Sequence, residues 1–264
     1  MRVLVVSAHP DDIEFGCAGA VARWVNEGAD VTYCIVSDGS TGTQDRDLMG
    51  ERLAALRKEE SQSAARAVGV DKIEWLGYRD GYIEASLALR RDIARVFRRA
   101  RPHRYVVMDP TPTIEDRFVN HPDHRAVGQA SLDVTLTAGT TPGHFPELLD
   151  EDLAPWRGLR ELWIMGPGTK PVAVDISTTI DQKIEALLSH RSQVGDDTEG
   201  VVDWLRTWSA QAGEPHGYAY AETFQLIKQG PGFHDEEIPD EAEADLAQPP
   251  PDPTSAPVRK PPAS

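Results

Sequence analysis

The sequence predicts an α/β protein with a mostly parallel sheet wrapped by helices. Three observations carry that expectation. Strand-like and helix-like segments alternate over the first 230 of 264 residues, the pattern of strands joined by crossover helices. Helix candidates carry apolar residues at three- and four-residue intervals. Two polar, histidine-containing motifs follow strand candidates, the second after a loop of about a dozen residues, on the side where α/β sheets place their ligand sites.

The elements follow in order. The apolar run Arg2–Ser7 (RVLVVS) is the first strand candidate, and a helix is expected over Phe15–Glu27, with the small residues Gly16 to Ala20 allowing close approach to the sheet. Asp30–Val36 is the second strand and Glu51–Val68 the second helix; Lys72–Leu76 and Ser86–Arg99 repeat the alternation. Arg104–Met108 is the fourth strand, followed by a helix over Pro122–Thr137 whose Pro122 suits a first helical turn. Glu161–Met165 and Pro171–Ile176 read as strands, Ser177–Ser192 as a helix capped by Ser177 or Thr178, and Tyr218–Ile227 as a closing strand at a sheet edge. Residues 1–230 are thus expected to form one catalytic domain, a size consistent with a single α/β core.

From Pro231 the composition changes. Acidic residues outnumber basic ones and prolines recur, so residues 231–264 are expected to be a disordered tail. The net charge of −16 argues against nucleic acid or an anionic membrane as partner and favours a small-molecule substrate. The two cysteines, Cys17 and Cys34, read as reduced core thiols. No apolar stretch approaches the ~20 residues of a membrane span, and the short N-terminal apolar run lacks the h-region of a signal peptide, so a cytoplasmic protein is expected. The sequence leaves a homo-oligomer open.

Chemistry concentrates in two motifs. S-A-H-P-D-D at Ser7–Asp12 stands where a dinucleotide-binding protein would carry its glycine fingerprint, which is absent. N-H-P-D-H at Asn120–His124 follows the fourth strand. In a doubly wound order 3-2-1-4-5 these two strands are neighbours at the switch point, and the motifs face each other across a crevice. Two imidazoles and a carboxylate can hold zinc with a position left for water, whose pKa then falls towards ~7. Ferrous iron or cobalt suits the same nitrogen and oxygen donors. Either motif alone has an ordinary reading, since Asp-Asp often caps a helix.

With these motifs the sequence resembles the PIG-L/LmbE-type family of metal-dependent N-deacetylases. A-H-P-D-D at Ala8–Asp12 and H-P-D-H at His121–His124 match its signatures, and weaker matches extend through Glu51–Glu60, Leu76–Gly81, His190–Gln193 and Tyr220–Phe224. The resemblance implies a Rossmann-like three-layer α/β sandwich with the active site at the C-terminal strand edge. It implies that His9, Asp12 and His124 bind Zn2+, that Asp11 is the general base, and that His121 stabilises the oxyanion or assists proton delivery. Its substrates are N-acetylated amino-sugar conjugates. An amidase for larger acyl or thiol-conjugate amides is the alternative, and a non-catalytic binding module the third reading.

Other candidates carry less. Arg57 is placed at the rim of the crevice, reaching sugar hydroxyls, against the plain reading of an exposed arginine paired with a glutamate. Asp80, in a turn after the third strand, is a candidate for substrate contact. Ser37–Gly50 has the composition of a mobile active-site loop, and with Gln193–Pro215 is expected to set leaving-group specificity. His103, His144, His190 and His216 read as structural, His190 being the strongest exception. Trp24, Trp75 and Trp163 read as core, and Trp204 with Trp208 as helix packing.

Overall fold

The computed structural model describes residues 1–115, 118–166 and 168–228. The stretch from Pro231, read above as a disordered tail, lies outside the described residues. In chain order the strands are β1 (Arg2–Ser7), β2 (Asp30–Ser37), β3 (Lys72–Tyr78), β4 (Arg104–Val107), β5 (Ile114–Glu115), β6 (Phe118–Val119), β7 (Glu161–Met165), β8 (Pro171–Asp175) and β9 (Ala221–Lys228). The helices are α1 (Asp12–Gly16), α2 (Ala18–Asn26), α3 (Glu51–Ala67), α4 (Leu87–Ala100), α5 (Pro122–Asp133), α6 (Glu147–Asp150), α7 (Ile180–Leu188), α8 (Arg191–Val194) and α9 (Thr198–Gly213).

Seven strands form one sheet in the order β3-β2-β1-β4-β7-β9-β8, and β5 with β6 makes a small antiparallel ribbon. The first five strands of that order run parallel, as the alternation predicts. Central β1 is covered on both faces, so its side chains divide with period two. Val3 and Val5 join α2 and α7 residues such as Trp24 and Ile184, while Leu4 and Val6 join Ile93, Phe97 and Val127 of α4 and α5. This is the predicted three-layer sandwich. Cys17 and Cys34 are buried free thiols, and among the described residues no helix is long and apolar enough to cross a membrane.

Several expectations change. The closing strand is not at the edge: β9 lies between β7 and β8, antiparallel to both. The edge falls to β8, whose leading Pro171 lacks an N–H and is tolerated there. The helix expected over Phe15–Glu27 divides into α1 and α2 at Cys17, whose backbone leaves the helical region (φ −152°, ψ 9°). That break presents the Gly19 and Ala20 N–H groups to the Glu222 carboxylate of β9, at 3.1 and 2.7 Å.

The helix expected from Ser177 starts three residues later, after Thr179, and reduces to α7 and the single turn α8. Thr179 Oγ1 donates to Gly19 O at 2.8 Å instead of capping its own helix. Most of Gln193–Pro215 forms α9, the helix expected at Trp204 and Trp208, opened by the Asp197 side chain accepting from Gly200 N at 3.0 Å. Helix α5 ends at Asp133 and gives way to a π turn over Val134–Ala138.

Candidate metal centre and active site

Both motifs stand at the C-terminal ends of adjacent strands. The chain leaves β1 through a turn in which Asp11 adopts φ 119°, a conformation that costs a non-glycine residue of order 1–3 kcal/mol. The turn sends two adjacent carboxylates different ways. Asp12 folds back to accept the His9 N–H at 2.6 Å, and Asp11 lies against Arg57 Nη2 at 3.1 Å. From the β4 side, Pro122 occupies the first turn of α5 and His121 is its N-cap, Nδ1 accepting from Asp123 N at 3.2 Å.

Three donors then converge. His9 Nδ1 is 3.1 Å from His124 Nε2, His124 Nε2 is 3.0 Å from Asp12 Oδ1, and His9 Nδ1 is 3.4 Å from Asp12 Oδ2. A tetrahedral zinc with bonds near 2.0–2.1 Å separates its ligands by about 3.3 Å. The donor set therefore fits a divalent transition metal. One ring nitrogen each of His9, His121 and His124 also falls within 4.8 Å of the others, as do donors of His9, Asp80 and Asp123.

The second set has a different use. His9 Nε2 points away from His124, 3.3 Å from both Asp80 Oδ1 and Asp123 Oδ2. A metal-binding imidazole usually gives its other N–H to a carboxylate, which fixes the tautomer. Asp123 in turn accepts from Gly81 N at 2.8 Å and Ile83 N at 3.2 Å. Its position inside H-P-D-H was visible in the sequence, but its direction depends on the first turn of α5.

Electrostatics follow from this crowding. Burial lowers the His9 pKa, yet hydrogen bonds and charge from Asp12, with Asp123 and Asp80, push it up to about 12. The field that holds a proton there suits a cation. Burial opposes ionisation of Asp12, but His124 and His9 hold its carboxyl well below the usual range. Burial and the neighbouring Asp12 raise Asp11 to about 7, against the lowering by Arg57 and His190. The His121 pKa is lowered, by burial and then by His9, which favours the uncharged imidazole. With Nδ1 accepting from Asp123 N, its proton resides on Nε2.

Arg57 is not at the rim. It is 3 % exposed and donates to Gly39 O at 3.1 Å and to Pro10 O. Asp80 is buried too, accepting from Thr41 N at 3.0 Å. The segment after Ser37 is correspondingly anchored over its first residues. His190 is fully buried with Nε2 3.2 Å from Glu14 Oε2, a charge contact without hydrogen-bond alignment. Ser192 N and Oγ both meet Glu60 at 2.7 Å, and Gln193 Nε2 reaches Gly42 O at 3.2 Å. The H-R-S-Q stretch thus ties α7 and α8 to α3 and to the loop beside the site. Trp24 and Trp163 are core and Trp75 is half-buried, whereas Trp204 and Trp208 stack on each other half exposed, 5.3 Å between ring centroids.

The family described as GlcNAc-PI de-N-acetylase, PIG-L, matches residues 4–135. Diacetylchitobiose deacetylase of Thermococcus kodakarensis is 32% identical over 232 residues, covering 86% of this chain and 83% of the relative. A 1D-myo-inositol 2-acetamido-2-deoxy-alpha-D-glucopyranoside deacetylase of Saccharopolyspora erythraea is 30% identical over 240 residues, covering 74% of this chain and 84% of its own. The solved N,N'-diacetylchitobiose deacetylase of Pyrococcus horikoshii superposes with a TM-score of 0.78 at 33% identity, over 85% of this chain and 83% of that one.

Proposed function

Since the chain belongs to the PIG-L family of GlcNAc-PI de-N-acetylases, we propose that it hydrolyses the acetamide of a small N-acetylated amino-sugar conjugate, releasing acetate and the free amine. Relatives named for diacetylchitobiose and for an acetamido-glucopyranosyl inositol support that substrate class. The observation that carries the reading is the convergence of His9 Nδ1, Asp12 and His124 Nε2 beside the separately directed Asp11.

His9, Asp12 and His124 would hold the metal, for which we propose zinc on the basis of the mixed nitrogen and oxygen donors. Bound there, it supplies Lewis-acid polarisation of the acetamide carbonyl and a water of lowered pKa. The remaining work falls to this chain's side chains. Asp11, raised to about 7, takes the proton of the attacking water as its oxygen bonds to the carbonyl carbon. His121, neutral with its proton on Nε2, donates towards the developing oxyanion. The proton gathered by Asp11 then passes to the leaving nitrogen as the C–N bond breaks. Asp80 and Asp123 orient His9.

The test is elemental analysis of the purified protein with turnover on diacetylchitobiose, N-acetylglucosaminyl-inositol and longer N-acyl analogues. Near-stoichiometric zinc and preference for acetyl are expected. A preference for bulky acyl groups would replace the deacetylase reading with a general amidase.

A further inference from the structure

The turn after β3 borders the crevice. Asp80 Oδ1 is 3.3 Å from His9 Nε2, and the Gly81 and Ile83 amides donate to Asp123 at 2.8 and 3.2 Å. These groups of the turn are engaged by the site, whereas Arg79 and Tyr82 stay outside. Arg79 is exposed and Tyr82 is 65 % exposed. Each is one residue from a group that touches His9 or Asp123, so the pair stands at the mouth of the crevice.

The two side chains form one unit. Tyr82 N donates to Arg79 O at 3.2 Å, closing the turn, and the guanidinium carbon lies 4.2 Å from the centroid of the Tyr82 ring. Stacking of this kind restrains the flat guanidinium and leaves its N–H edge free. That edge matches a carboxylate or a phosphate, which it can meet with two parallel hydrogen bonds.

The charge is also uncommitted. The chain carries 43 acidic against 27 basic residues, and the surface arginines Arg95, Arg99 and Arg206 each lie on a carboxylate, of Glu151, Glu74 and Asp181. Among the described residues Arg79 forms no ion pair. A preorganised cation beside the site of an acidic protein is thus left for something that arrives with the substrate.

We propose that Arg79 and Tyr82 form a subsite that selects conjugates bearing an anionic group, carboxylate or phosphate, on the part attached to the amino sugar. The guanidinium edge binds the group and the Tyr82 ring holds the guanidinium in place. The inference rests on the deacetylase reading given above and narrows its substrate to an acidic N-acetylglucosaminide.

The experiment compares three substrates on the zinc-loaded enzyme: the neutral methyl N-acetylglucosaminide, the carboxymethyl N-acetylglucosaminide and N-acetylglucosamine 1-phosphate. Wild type is expected to favour at least one of the two charged compounds by roughly tenfold in kcat/KM, and the one favoured identifies the group. Arg79→Gln should abolish that advantage by raising KM at unchanged kcat, with the neutral glycoside unaffected, since it offers Arg79 nothing to hold. Arg79→Lys, a cation without the two-pronged edge, should recover only part of it, and Tyr82→Leu should lose part. An equal loss on all three substrates, or none on either charged one, overturns the inference. Calorimetric binding of glucosamine 1-phosphate, which has no acetamide to cleave, separates the two readings. Its affinity should fall roughly tenfold in Arg79→Gln, and an unchanged affinity overturns the subsite. Absence of turnover on all three substrates would instead remove the deacetylase reading, with the calorimetry still deciding the subsite.

Discussion

Asp123 Oδ2 stands 3.3 Å from His9 Nε2 and 2.8 Å from Gly81 N, so one buried carboxylate joins the histidine after β1 to the turn after β3. Removing its charge is expected to loosen the orientation of the imidazole proposed to face the metal. Asp123→Asn is expected to weaken zinc binding about 10- to 100-fold, measured by competition with a chromophoric chelator. Unchanged affinity would reduce Asp123 to an anchor for the Gly81 and Ile83 amides.

The pH dependence of turnover follows from Asp11. A general base works ionised, and burial with Asp12 beside it raises this carboxyl to about 7. Activity should therefore be present above that pKa and be lost as pH falls through it. A bound cation favours the carboxylate and moves the limb downward, so kcat/KM in the zinc enzyme should fall with a midpoint at or below about 7. Asp11→Asn should lower turnover ~10²-fold with zinc retained and lose that limb. A flat wild-type profile between about pH 5 and 8 would count against a carboxylate base.

Stability has its own weak point in the buried pair Lys183 and Glu222, 2.5 Å apart. Glu222 also accepts the Gly19 and Ala20 amides that open α2, and Lys183 Nζ donates to Phe15 O at 2.7 Å. Truncating Glu222 leaves a buried cation and two amides without their acceptor. Glu222→Ala is expected to cost about 3–5 kcal/mol in urea denaturation, with Lys183→Met and Glu222→Met combined recovering much of it. A loss below about 1 kcal/mol would mean that water reaches the site.

Deleting residues 231–264 is expected to leave zinc content, kcat and KM unchanged, because their acidic, proline-rich sequence offers no packing face. Steady-state kinetics after truncation at Gly230 check this. A several-fold change in kcat or KM with unchanged melting would give the segment a regulatory part.

Much of the site was legible because its residues are short-range neighbours at strand ends. His9 and Asp12 lie three residues apart, His121 and His124 likewise, and the adjacency of β1 and β4 is that of the doubly wound order 3-2-1-4-5. The place of Arg57 was not legible. A lone arginine on α3 looks solvent-facing, and its burial comes from backbone carbonyls 18 and 47 residues away in sequence. Helix α9 was legible at Trp204 and Trp208, four residues apart, and its start is marked by Asp197 as N-cap. The insertion of β9 between β7 and β8 left no local mark, since periodicity specifies strands and not their order.

That insertion also sets a timetable. Among the described residues strand β8 pairs with no strand other than β9, so a nascent chain extended only as far as β8 carries open hydrogen-bonding edges on β7 and β8. The same late strand brings Glu222 to the amides that open α2, which the short helix α1 separates from the turn at Asp11. The proposed metal ligands, which follow β1 and lie on α5, can thus be brought together by early parallel pairing, while the helix behind them gains its counter-charge only when the last strand of the sheet docks.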